Sequence, residues 1–491
     1  MASIEELRSD RLKKKALLEE KGINPYPAES ARTDTIENFL TNFIPYEGNK
    51  TIGTIAGRVM SKRGQGGITF CDLYDGTGKM QAFFKADEMD AKLYELFNDT
   101  IDVGDFVEVK GMAYTTQRGA PSIFVSDWNI LTKSLLPLPD AWYGLKDEDE
   151  RFRKRYLDIL INEEVREVVY KRSIFWNTIR QFLLERGFVE VETPVLENTT
   201  GGADARPFST HHNAFDMEVY LRISAGELWQ KKLLIAGIPK TFEIGRIFRN
   251  EGVSNEHLQD YTQLEYYMAY ADYLQGMEMT KELYKLIGEK TFDTTTFSIR
   301  GYEVDLNKEW ELYDFVEILK ENYALDVLNV SDETLATITA ALMENNIEHD
   351  PGTINIERGV DLLWKKIRKT LAGPGFLINV PVYLEPLAKR NRNNYKTVER
   401  FQVILAGSEM GKGFSELNDP TDQKERFMKQ QALRDAGDDE AQMADMEFVE
   451  ALEHGMPPAF GFGLSERLFS FLMDKSVRET QLFPLLKPKR D

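Results

Sequence analysis

The segment TFEIGRIFRNEGVSNEHLQDYTQLEYYMAYADY, residues 241–273, constrains the fold of this chain more than any other stretch. Two runs rich in β-branched and aromatic residues flank a polar, Gly-containing loop, the pattern of two antiparallel strands with a long connection. Alternate residues of a strand share a face, so Arg249 and Glu251 point one way and Phe248 the other. On the returning strand Tyr261, Glu265 and Tyr267 share a face. The pair therefore presents a guanidinium, two carboxylates and two phenols toward one surface. A solvated sheet face would carry the same pattern, so the neighbouring segments decide its meaning.

At 491 residues the chain is too long for one ordinary core, and two or three domains are expected. Residues 1–44 read as an exposed basic helix (5–21, with Arg8, Arg11 and Lys13 to Lys15) and a connecting segment. Over 45–134 the pattern changes to short strands broken by turns. In YDGTGKMQAFF, Asp-Gly supplies the positive-φ turn of a hairpin. Five such strands, with a helical interruption at 87–97, fit a small OB-type β-barrel, a fold that often binds single-stranded nucleic acid. Residues 135–160, opening on LLPLPDAWYG, read as a linker. The remainder, 161–491, reads as a larger α+β domain. Its opening helix, about 163–186, carries Val165, Val168, Phe175, Ile179, Phe182 and Leu183 at helical spacing, and 280–375 reads as an insertion.

Cys71 is the only cysteine, which excludes an internal disulfide and a Cys-built zinc site. No apolar run approaches the roughly 18 residues of a membrane span, and the charged N-terminus has no secretory h-region. A cytoplasmic protein without a membrane partner is expected. The net charge of −20 argues against a nucleic-acid partner only globally. Residues 1–135 hold 17 basic and 20 acidic side chains, so the excess acid sits mainly on the larger domain. Local phosphate contacts are expected at Lys13 to Lys15 and at Lys62 and Arg63.

Three further segments give the strand pair its context. RGFVEVETPVLENTTGGADARPF (186–208), the FRNEG run with its return, and GFGLSERL (461–468) resemble motifs 1, 2 and 3 of class II aminoacyl-tRNA synthetases. PLAKRNRNN (386–394) and GKGFSELNDPTDQKERF (411–427) resemble the lysine-specific members. The similarity runs in the family's order over nearly the whole chain, behind an OB-like domain.

That resemblance implies an antiparallel-sheet catalytic domain flanked by helices, a homodimer formed through motif 1, and an ATP- and Mg²⁺-dependent lysine–tRNA ligase. Matching positions put Arg249 at the α-phosphate and substrate carboxylate, and Arg467 and His257 at the far end of ATP. Tyr261 would stack on adenine and Glu251 would contact the base. Glu227 and Glu265 would meet the α-ammonium of lysine, Glu416 and Tyr267 its side-chain ammonium, and Glu409 would bind Mg²⁺. In the barrel, Phe70, Gln81 and Arg63 would read the anticodon of tRNA(Lys). The chemistry needs fixed cations and carboxylates rather than a general base, because an ionised carboxylate is already a nucleophile.

The chain departs from the family pattern in places. Gln402 stands where a second acidic metal ligand is usual, Lys412 and Leu258 where asparagines are usual, and Ser465 in a shortened glycine run. Gln402 could still offer a carbonyl to a cation. Two alternatives follow: an aspartyl- or asparaginyl-type relative, which would need a cationic side-chain site, or a catalytically weak RNA-binding paralogue.

Overall fold

The computed structural model describes residues 3–139, 145–203, 205–250, 252, 254, 256–350, 354–435 and 441–489. It divides into two compact units, Met1–Ile161 and Asn162–Asp491. The linker positions 140–144 and Glu251 lie outside the described residues.

In the first unit, β1 (Ile52–Gln65), β2 (Ile68–Tyr74), β3 (Lys79–Lys85), β4 (Phe106–Thr115) and β5 (Pro121–Thr132) close a barrel in the order β1-β2-β3-β5-β4. The β2–β3 turn forms where expected: Gly76 has φ +91°, and the Asp75 carboxylate accepts from the Thr77 and Gly78 amides. Inward alternation places Val59, Cys71, Leu73, Ala82 and Phe84 in the core. Burial pushes the Cys71 thiol up to about 12 and leaves it unreactive.

Arg11, read as part of an exposed basic helix, and Lys62, expected at phosphate, are structural instead. Arg11, on α1 (Ile4–Glu20), is buried and donates to the carbonyls of Val103, Ser134 and Leu136 at 2.8–3.2 Å. Lys62 points inward because a bulge between Val59 and Ser61 reverses the alternation of β1 and sets Lys62 opposite core residue Cys71. Its ammonium donates to the carbonyls of Phe97, Asn98 and Ile101 at 2.8–3.1 Å, which caps α2 (Ala91–Thr100). Lys14 and Lys15 are held by Asp102 and Glu19, each within hydrogen-bond distance. Arg63 stays on the outer face.

The second unit opens on α3 (Glu163–Glu185), whose buried stripe is the one its spacing predicts, with Thr178 added. Its main sheet has eight strands. In chain order they are β6 (Val189–Glu190), β7 (Lys240–Phe248), β8 (Asp260–Ala269), β9 (Glu311–Asp314), β10 (Gly375–Ile378), β11 (Arg400–Leu405), β12 (Ser408–Ser415) and β13 (Ala459–Ser465). The spatial order is β9-β10-β11-β12-β13-β8-β7-β6, antiparallel except for a parallel pair at each edge. β9 comes from the stretch read as an insertion and β10 starts at its last residue, so part of that stretch extends the sheet. Only Phe315–Thr370, with helices Phe315–Tyr323, Asp332–Glu344 and Ile356–Ile367, stands between those strands. Among the described residues no helix is long and apolar enough to cross a membrane.

Candidate active site

The strands β7 and β8 pair in one register, with Glu243 opposite Glu265 and Ile247 opposite Tyr261, and β13 lies on the other side of β8. Above this sheet lies a cavity of about 420 Å³. Of the ten residues expected in this domain, eight line it: Glu227, Arg249, His257, Tyr261, Glu265, Tyr267, Glu409 and Arg467. Glu416 sits just behind its floor, and Glu251 is outside the described residues.

The acidic end is built first by β8. Glu265 is 3% exposed and accepts from the Ala225 amide at 2.9 Å, from Gln263 Nε2 at 2.7 Å and from Tyr267 Oη at 2.9 Å. Glu227 opens α4 (Glu227–Ile235) after Gly226, which has φ +77° and abuts Thr193 so closely that any Cβ would collide. One turn on, the buried Lys231 donates to Glu227 Oε1 at 2.7 Å and lies 2.5 Å from Glu416 Oε2. Glu416 Oε1 is buried without a hydrogen-bond partner. It abuts Gly461 of β13, where a Cβ would lie 2.1 Å from Glu416 Oε1 and 2.5 Å from Tyr267 Cε1. A glycine there keeps Glu416 in reach of the cavity.

With all three carboxylates ionised, this pocket holds two negative charges beyond the one that the Lys231 ammonium balances. Burial, together with repulsion from Glu227, pushes Glu265 up to about 8. Burial and both neighbouring carboxylates push Glu416 up as well, against the pull of Lys231. Burial opposes the Lys231 charge, but Glu227 and Glu416 outweigh it and hold the ammonium above its ordinary value. Such a site is short of positive charge.

The opposite end is cationic. Arg249 donates from Nε and Nη2 to the Ile223 carbonyl at 3.3 and 3.2 Å, and its guanidinium lies 5.8 Å from the Tyr261 ring centre. Arg467 donates to Glu256, which also accepts from Arg300 at 2.5 Å. Burial would raise Glu256, but Arg467 and Arg300 overcome it and hold the carboxylate below its usual range. His257 Nδ1 lies 2.8 Å from Ser254 Oγ.

The described residues hold no cluster of three or more His, Cys, Asp and Glu side chains able to bind a metal ion. Glu409 lines the cavity, with Oε1 accepting from Trp364 Nε1 at 2.6 Å. One hard carboxylate suits a Mg²⁺ ion carried mainly by nucleotide phosphates. The Gln402 carbonyl accepts from Arg400 Nη2.

Two comparisons bear on this site. Residues 147–487 match the family described as tRNA synthetases class II (D, K and N), and 54–131 match the OB-fold nucleic acid binding domain. The lysine–tRNA ligase of Carboxydothermus hydrogenoformans is 42% identical over 488 residues, 99% of each chain. The chain belongs to the class II lysine–tRNA ligase family. The lysine–tRNA ligase of Fervidobacterium nodosum is 41% identical, covering 99% of this chain and 95% of its own. That of Thermotoga maritima is 40% identical, covering 99% and 97%.

On the barrel of this family member, Phe70 stacks on Phe83 with centroids 5.0 Å apart, and Phe83 stacks on Tyr114 at 5.6 Å. Phe70 is partly exposed on the outer face rather than in the core. Arg63 is directly opposite Phe70, and Gln81 is one strand over, accepting from Ser122 at 3.1 Å. Sequence reasoning missed Lys231, Glu256, Arg300, Glu385 and Arg400. Glu227 and Lys231 are spaced four apart on one helix, the i,i+4 spacing of an ion pair, which was a signal for the first of them.

Proposed function

We propose that this chain activates lysine with ATP and transfers it to tRNA(Lys) in the cytoplasm. The observation that carries this reading is the charge of the buried pocket. Lysine brings two ammonium groups, which balance the two excess negative charges of Glu227, Glu265, Glu416 and Lys231. Its carboxylate falls to Arg249, and Glu416 Oε1, behind Gly461, supplies the acceptor for the side-chain ammonium.

A lysine carboxylate oxygen forms a bond to the α-phosphorus, the bond from that phosphorus to pyrophosphate breaks, and lysyl-adenylate results. The terminal adenosine hydroxyl of tRNA then attacks the acyl carbon, and AMP leaves. Arg249 holds the α-phosphate, Tyr261 stacks on adenine, Glu251 contacts the base, and Arg467 and His257 take the far phosphates. Arg467 must exchange Glu256 for phosphate. Mg²⁺ at Glu409 supplies charge neutralisation at the phosphates when bound. Phe70, Gln81 and Arg63 offer stacking, hydrogen-bonding and phosphate contacts to anticodon bases. An aspartate-type substrate is disfavoured because the side-chain end of the pocket is built from the buried carboxylates Glu227, Glu265 and Glu416, and its ammonium, Lys231, is paired with Glu227 and Glu416.

A homodimer accompanies this reading. Tyr170 and Ile174 of α3, with Val189, Val195 and Leu196 of motif 1, expose 43–57% of their surface, as a face covered by a second copy would. The test is aminoacylation of total tRNA with labelled lysine, followed by sequencing of the charged species. Charging confined to tRNA(Lys) is expected; charging of another tRNA, or none, refutes the proposal.

A further inference from the structure

The wall that carries Glu409 also carries a fixed cation. Gln402 of β11 faces Lys412 of β12, while Ile404 faces Glu409. Two residues forward on β11 thus answer to three on β12. This one-residue bulge at Met410–Gly411 brings Glu409 and Lys412 to the same face as Gln402. All three side chains line the cavity, as does Glu385.

The polar contacts there leave little room for a second ion. Glu385, 6% exposed, takes Arg400 Nε on one oxygen at 2.9 Å and Lys412 Nζ on the other at 2.7 Å. Arg400 also occupies the Gln402 carbonyl. A divalent ion at Gln402 would meet a neutral oxygen that already accepts from a guanidinium, beside the two positive charges of Arg400 and Lys412, which share the Glu385 carboxylate. Lys412 remains 42% exposed at its side chain, so its ammonium can leave Glu385 for a nearer anion.

We propose that Lys412 is a catalytic cation that contacts ATP phosphate oxygens and replaces a divalent ion on the Gln402 side, leaving one Mg²⁺ at Glu409. This inference rests on the ATP-dependent reading above. During adenylate formation the negative charge on the phosphate oxygens is then met by Lys412, Arg249 and Arg467 together with that single ion. No proton moves at Lys412: its ammonium acts as a fixed charge.

The test counts bound Mn²⁺ by electron paramagnetic resonance on the full chain with lysine and a non-hydrolysable ATP analogue. One Mn²⁺ per bound nucleotide is expected for the unaltered protein, and two or more overturns the proposal without any variant. The pair Gln402→Glu with Lys412→Asn should gain one Mn²⁺; an unchanged count also overturns it. Lys412→Met should lower kcat/KM for ATP roughly 10²-fold, the effect of removing one charge-stabilising donor, without changing the count. An unchanged ATP dependence in that variant refutes the phosphate contact. Absence of lysine-dependent pyrophosphate exchange in the unaltered protein would instead refute the functional reading, whatever the Mn²⁺ count.

Discussion

Glu416→Gln removes one charge from the pocket while keeping its shape. Glu416 is fully buried, with Lys231 on one oxygen and the other unpartnered beside Gly461. In the unliganded protein the loss is cushioned, because Lys231 keeps Glu227 at 2.7 Å. The bound state has no such reserve: the excess negative charge falls from two to one while lysine still brings two ammonium groups. Truncating one partner of a buried, hydrogen-bonded charge pair costs about 2–5 kcal/mol. At 1.36 kcal/mol per tenfold, kcat/KM for lysine should fall roughly 30- to 5,000-fold. The KM for ATP should move far less, since its proposed ligands lie at the other end of the cavity. Lysine-dependent pyrophosphate exchange with varied lysine and ATP reads both, and a thermal melt checks that the fold is intact. A folded variant whose lysine dependence is unchanged would refute the pocket assignment.

Gly461→Ala should abolish lysine activation as thoroughly, because its Cβ would fall 2.1 Å from Glu416 Oε1; calorimetry showing lysine bound with unaltered affinity would refute the access argument. Lysine binding should release protons at neutral pH. Glu265 and Glu416, each raised to about 8 in the empty pocket, must ionise to meet the two ammonium groups, so affinity weakens as pH falls below about 8. Titrations in buffers of different ionisation enthalpy measure that release, and none at pH 7 would contradict it. The same raised acids favour the empty fold below their unfolded pKa of roughly 4.3, and that contribution disappears as pH rises through about 8. Added lysine should therefore raise the melting temperature more at pH 8 than at pH 5. Phe70→Ala should raise the KM for tRNA by about 5- to 150-fold, the 1–3 kcal/mol of one stacked base, and an unchanged value would remove Phe70 from the interface.

Much of this was legible wherever a short-range rule decided the outcome. The Asp75-Gly76 turn, the alternation of β2 and β3 and the stripe of α3 follow from local periodicity. Glu227, Glu265 and Glu409 were singled out through segments whose order resembles a family, and the structure places all three around one cavity. The misreadings come from bulges and from tertiary burial. One bulge in β1 turns Lys62 into the barrel. A one-residue shift in a strand leaves no mark in composition, yet it exchanges the two faces of everything that follows. Arg11 reads as a solvated cation, and nothing singles out Lys231, because long basic side chains are usually exposed. Only the carboxylates of Glu227 and Glu416, and the carbonyls of Val103, Ser134 and Leu136, explain their burial. β9 and β10 went unrecognised as sheet strands because each has four residues and their partners lie far away in sequence.

The central claim is that a buried pocket whose three carboxylates, once ionised, exceed its one ammonium by two charges selects an amino acid carrying two ammonium groups. Pyrophosphate exchange into ATP, measured with each proteinogenic amino acid in turn, tests it most directly. Stimulation by lysine alone is the predicted result. Stimulation by aspartate or asparagine, or silence with every amino acid, would contradict it.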